Sequence, residues 1–167
     1  MLEHIDLGLG EAPKKLVEEV IKPLEISERI LFLVKEEYRT VEKWIKLHPF
    51  LCVYCGTDAD TKDHLIPRTW SGESVRKIVP TVPCCRDCNS RLQDIPLFTI
   101  YERALFVADK LKKKFKKQLT IQDRSALEMS KFEHKMKDYI EGKQLARQFL
   151  RLRLVRLEVG GAALIER

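Results

Sequence analysis

The chain has 167 residues, 44% hydrophobic and 34% charged, with a formal net charge of +6 and a pI of about 9.1. That composition supports one packed domain and excludes a disordered polyelectrolyte, while the positive excess favours a polyanionic partner. No stretch approaches the ~20 apolar residues of a membrane span, and Met1–Asp6 lack the basic start of a secretory signal, so a cytoplasmic protein, or a nuclear one in a eukaryote, is expected.

Residues 12–47 read as helical. Pro13 suits a first turn, and Leu16, Val17, Val20 and Ile21 recur at helical spacing until Pro23 interrupts them. A second helix starts at Ser27 as N-cap, with Ile26 and Leu31 as a hydrophobic staple. Its apolar face comprises Ile30, Leu31, Leu33, Val34, Tyr38, Val41, Trp44 and Ile45.

The character changes over 48–95, which hold four of the seven prolines and all five cysteines. Two short β-prone pieces, Asp63–Ile66 and Lys77–Val79, flank Ser71-Gly72-Glu73-Ser74 and predict a hairpin with a broad loop. A short helix is expected over Arg86–Asp94, stopped before Pro96. Residues 97–157 are helical again. One stripe runs through Leu97, Ile100, Tyr101, Ala104, Leu105, Ala108 and Leu111. Thr120 and Asp123 offer a capping box for a further helix whose stripe includes Leu127, Phe132, Met136, Tyr139 and Ile140. Gly142 is a candidate kink, and Leu145, Phe149, Leu152 and Val155 continue the pattern.

The chemistry concentrates in the middle segment. Cys52-x2-Cys55 and Cys85-x2-Cys88 each aim two sulfurs at one point, and two such turns can close a tetrahedral zinc site. An odd cysteine count with four in metal spacing argues against a disulfide framework and for a reducing compartment. Cys84 to Cys88 is also an allowed ligand spacing; Cys85 is preferred for symmetry with the first pair. Between the pairs lies Asp63-His64. Neighbours on a strand point to opposite faces, so these two can straddle a phosphate rather than share one ion. His64 is a base suited to neutral pH, and Asp63 with Asn89 supplies hard oxygens for a water-rich Mg²⁺.

The run Cys52-x2-Cys55, Asp63-His64-Leu65-Ile66-Pro67-Arg68 and Val82-Pro83-Cys84-Cys85-x2-Cys88-Asn89 resembles the HNH endonuclease family in its four-cysteine zinc-bearing form. The resemblance covers residues 50–93, roughly. It implies a central ββα-metal motif (48–95); with the helical segments 1–47 and 96–167 read from periodicity, the expected chain is mainly α with a small α+β insert. The resemblance also implies cleavage of DNA, on one strand or both. By position, His64 would be the general base, and Asp63 and Asn89 the ligands of a catalytic Mg²⁺ or Mn²⁺. Cys52, Cys55, Cys85 and Cys88 would hold structural Zn²⁺, and Arg68, Arg86 and Arg91 would contact nucleic acid. Two departures stand out. The family's middle Asn falls near Pro80, and the Lys expected three residues after the last ligand is Leu92.

Outside the motif, Lys110–Lys117 and Arg147, Arg151, Arg153 and Arg156 form basic clusters that would add salt-dependent phosphate affinity or simply face solvent. Leu150, Leu152, Leu154 and Leu157 make the last helix apolar on more than one face, which suits a second copy or a protein partner. Two other functions fit the same residues: a non-catalytic zinc module that binds DNA or RNA, and a structural adaptor.

Overall fold

A computed structural model describes residues 28–71 and 73–165. The helix expected over 12–22, and the Ser27 cap with its Ile26 partner, lie outside the described residues. Helix α1 (Glu28–Leu47) buries Val34, Val41 and Trp44, with Ile30, Leu31, Tyr38 and Ile45 packed at the edges. Leu33, expected on the same face, is 49% exposed. The buried stripe repeats at seven and three residues and is therefore narrower than the run of apolar letters suggests.

Strands β1 (Thr61–His64) and β2 (Thr81–Cys84) pair antiparallel, with Thr61 opposite Cys84 and His64 opposite Thr81. The hairpin is thus present but shifted from its expected position. Lys77 and Ile78 belong to a six-residue helix, α2 (Glu73–Ile78), and only past Pro80 does the chain extend. Pro80 ends the helix by disfavouring helical geometry before it, and the β-branched Thr81-Val82 begins the strand. Pro83 is tolerated because a two-stranded sheet consists only of edges. Leu65 and Ile66, expected to extend the first strand, leave it and sink into the core at 0% and 1% exposure. Helix α3 (Arg86–Leu92) follows β2 directly, with Cys85 as N-cap.

The C-terminal half comprises α4 (Ile100–Thr120), α5 (Ala126–Met129), α6 (His134–Glu158) and α7 (Ala162–Ile165). Helix α4 is capped twice. The Thr99 hydroxyl accepts from Glu102 N–H, and the Glu37 carboxylate of α1 accepts from Ile100 N–H at 2.9 Å. The expected capping box at Thr120/Asp123 forms instead at Ser125/Glu128. Asp123 takes another role, accepting from Arg147 and Arg151. Gly142 neither kinks nor ends α6, which runs through it. The stripe Leu145, Phe149, Leu152 and Val155 is more than half exposed, while Leu150, Leu154 and Leu157 face inward. Apolar residues on both sides of α6 left the periodicity without a unique phase.

One core joins all of this: residues of α1, the first cysteine turn, Leu65 and Ile66 after β1, β2, α3, α4, α6 and α7 belong to a single buried cluster. The described residues are mainly α with one small antiparallel sheet, and the flanking helices share the core of the cysteine-rich segment.

Candidate metal centre and cleft

The first cysteine turn is wound tightly by its backbone. Cys52 N–H donates to Thr57 C=O at 2.7 Å, Gly56 N–H donates to Cys52 C=O at 2.8 Å, and Gly56 has φ of 69°. That left-handed turn brings Cys55 beside Cys52. The second pair opens α3, where Cys85 Sγ accepts from Cys88 N–H at 3.4 Å. The two turns meet. Ligand sulfurs of Cys52, Cys55, Cys85 and Cys88, all buried, lie within 4.8 Å of one another, and Cys55 and Cys85 are 3.6 Å apart. A tetrahedron with Zn–S near 2.3 Å needs sulfur separations of about 3.8 Å. The four-thiol group therefore fits a structural zinc ion. Cys84 does not join it: its buried thiol donates to Cys85 C=O at 3.3 Å.

Hydrogen bonds among the thiols stabilise some thiolates over others. Cys52 is pushed down to about 4, first by Cys55, and Cys85 to about 6, first by Cys52. At Cys55 the Cys52 contact works upward, but Cys85 and Cys88 outweigh it and leave the thiol at about 6. Cys88 and Cys84 are pushed up, in each case first by their contact with Cys52. Positive charge backs the cluster. Arg153 Nη2 lies 2.9 Å from Asp87 Oδ2 and 3.9 Å from Cys88 Sγ, and Arg156 donates to the carbonyls of Cys55 and Gly56. Burial works against the charge on Arg153, but Cys55, Asp87 and Cys88 outweigh it. The late arginine cluster is thus largely spent inside the molecule, on Asp123, Asp87 and the first cysteine turn.

Beside the thiol cluster lies an open cleft of about 250 Å³. It is lined by Lys62, Asp63 and His64 of β1, Pro67 and Arg68 beyond it, Asn89 of α3, and Gln93 and Asp94 after it. The hairpin and α3 thereby bring His64, Asp63, Asn89 and Arg68 to one depression. The Asn89 amide donates to Thr61 Oγ1 at 3.2 Å and to Lys62 C=O at 3.4 Å, which locks α3 to β1 and leaves its oxygen as an acceptor.

Asp63 is engaged in a way its sequence neighbours did not reveal. Its carboxylate accepts Tyr54 O–H at 2.5 Å on Oδ2, and Arg103 Nε at 3.0 Å and Nη2 at 2.9 Å on Oδ2 and Oδ1. Arg103 is fully buried, Asp63 is 4% exposed, and Arg103 Nη1 also donates to Leu97 C=O at 2.6 Å. Burial pushes the Tyr54 hydroxyl well above its ordinary value, with the Asp63 charge adding to it, so Tyr54 remains a donor. An ionised carboxylate has about four acceptor sites, of which three are filled, leaving one on Oδ1.

The other predicted cations part company. Arg68 lines the cleft. Arg86 is mostly exposed but lies off the cleft, its Nε 3.4 Å from Asp60. Arg91 is turned inward at 13% side-chain exposure and bonded to Asp87 at 2.7 Å. Leu92, where the family carries Lys, is fully buried in the core. Sequence reasoning missed Lys62, Gln93 and Asp94 at the cleft, and Tyr54 and Arg103 behind it. Lys62 was legible, since alternation along β1 puts it on the His64 face. Neither a family model, nor a curated protein, nor a solved structure matches this chain.

Proposed function

We propose that the chain is a metal-dependent DNA endonuclease of the HNH type, hydrolysing phosphodiester bonds in the cleft beside the thiol cluster. The observation that carries this reading is the meeting of His64, Asp63 and Asn89 at one open depression, on a hairpin and helix whose ends are tied by four cysteines. His64 takes a proton from the attacking water, and Arg68 and Lys62 hold the phosphate by charge. A divalent cation would be held by Asn89 through its amide oxygen and by Asp63 through its remaining acceptor site on Oδ1. It would supply Lewis-acid stabilisation of the leaving oxygen. So few protein ligands suit Mg²⁺ or Mn²⁺, which keeps much of its water shell.

The test pairs zinc content with plasmid nicking for His64→Ala in Mg²⁺ or Mn²⁺. Full zinc with lost nicking is the expected result; nicking at the wild-type rate removes His64 from the role of base. A second reading, a zinc-containing nucleic-acid-binding module without catalysis, is favoured by the Asp63–Arg103 pair, because a buried guanidinium beside the carboxylate repels a cation. Salt-sensitive DNA binding that needs no divalent cation, with no nicking by the wild-type protein in any, selects that reading.

A further inference from the structure

We infer that Phe50 and the shallow groove around it form a stacking subsite for an unpaired nucleobase, next to the cleft. The inference rests on the nuclease reading for what occupies the cleft, and it specifies the substrate: a DNA strand whose bases are not stacked in a duplex. Phe50 is 78% exposed, the most exposed large apolar side chain among the described residues. Its backbone is nonetheless anchored. Phe50 C=O accepts Ala59 N–H at 2.7 Å, and Leu51 bridges Asp58, one residue before the Cys52 ligand. An aromatic ring displayed on so fixed a base is pre-organised to receive another flat ring.

The groove is about 330 Å³ and is lined by Pro49, Phe50, Ala59 and Pro83 on its apolar side. Such walls offer faces rather than hydrogen bonds, so a base would be held by stacking and not read by its edges. The acid in the groove, Asp60, is paired: it accepts Arg86 N–H at 2.7 Å and lies 3.4 Å from Arg86 Nε. Lys62 also lines the groove, and it lines the cleft as well. It is exposed and forms no ion pair among the described residues. Strand alternation puts it on the His64 side, about 7 Å along β1. A strand whose base lies on Phe50 therefore carries its phosphate past Lys62 toward His64. A duplex keeps its bases inside and cannot present one to Phe50 without extruding it.

The experiment measures fluorescence anisotropy of a labelled oligothymidine with zinc-loaded protein and no added divalent cation. Phe50→Ala is expected to weaken binding by about 5- to 150-fold with no change in the slope of log K against log salt. Phe50→Trp is expected to retain affinity, with its indole emission quenched by the oligonucleotide. Lys62→Gln is expected to reduce the salt slope by about 0.7. Wild-type affinity in Phe50→Ala, or emission of Phe50→Trp unmoved by saturating oligonucleotide, overturns the subsite. Cleavage of the oligothymidine and nicking of plasmid, both with Mg²⁺ or Mn²⁺ added, are read in parallel. A protein that binds through Phe50 yet never nicks sinks the hydrolase and keeps the subsite; the reverse pair of results does the opposite.

Discussion

Replacing Arg103 by Met exposes how the first cysteine turn, β1 and α4 depend on one another. In the wild type, Arg103 and Asp63 are paired at 0% and 5% side-chain exposure, and the guanidinium also satisfies Leu97 C=O and touches the Tyr54 hydroxyl. Methionine fills much the same volume, so the cost is electrostatic. Removing one partner of a buried pair leaves an uncompensated charge, typically costing about 3–5 kcal/mol. The orphaned Leu97 carbonyl brings the expectation to the upper half of that range. With a urea m-value of about 2 kcal/mol/M, the midpoint falls by about 2 M. The triple variant Arg103→Met, Asp63→Leu, Tyr54→Phe removes the charges and the hydroxyl together and is expected to recover most of the loss, since apolar replacements of buried pairs are often neutral. Urea unfolding followed by far-UV circular dichroism, with zinc in excess, measures both. A midpoint shift under about 0.5 M for Arg103→Met, or a triple variant no better than the single one, would refute the argument that this pair is a buried charge balance.

Gly142 sits inside α6 with nothing within 4 Å of an added Cβ, so Gly142→Ala should gain about 0.5–1 kcal/mol, read as a raised thermal midpoint. Gly161→Ala should lose about 1–3 kcal/mol in the same assay, because φ is 121° and the new Cβ would stand 3.0 Å from Val53 O. Removing zinc with a strong chelator should unfold the whole core rather than the hairpin alone, because structural zinc sites contribute about 10–16 kcal/mol in small peptides, as much as a domain's total stability. Retained helical ellipticity with a sharp thermal transition after complete chelation would refute this. Burial works to raise the pKa of Asp87, but Arg91 and Arg153 outweigh it and hold it below the ordinary carboxylate value. Its stabilising effect is therefore present above about pH 4 and lost as pH falls through the depressed folded value. Arg153→Met should lower the thermal midpoint of the zinc-loaded protein at pH 6, and adding Asp87→Asn to it should cost much less than Asp87→Asn costs in the wild type; equal losses in the two backgrounds contradict the pairing.

The cysteine cluster and the nearness of Asp63, His64, Arg68 and Asn89 were legible because their geometry is local, whereas Lys62, Gln93 and Asp94 went unnoticed. A C-x2-C turn has few ways to fold, and Asn89 follows Cys88 directly on a one-turn-old helix, so its position is fixed by the second cysteine pair. The hairpin's register was not legible, because Lys77-Ile78-Val79 is as β-prone as Thr81-Val82 and only Pro80 separates them. The face of α6 was ambiguous for the same kind of reason: Leu150-Leu152-Leu154 supply apolar side chains in every direction.

The arginines are the instructive failure, and they alter how the flanking helices are understood. Arg103 interrupts the inward stripe Ile100, Ala104, Val107, Ala108 and Leu111, and a charge within such a stripe needs a buried acid as partner. Asp63 is that acid, 40 positions away, in a segment whose motif gave it a different role. Arg153 finds Asp87 across 66 positions in the same manner. A tetrathiolate zinc site carries a net charge of about −2, which favours nearby guanidinium groups, and α6 supplies two. Helices α4 and α6 therefore complete the charge balance of the cysteine-rich segment. A fragment restricted to residues 48–95 would keep every motif residue and lose Arg103, Arg153 and Arg156 together.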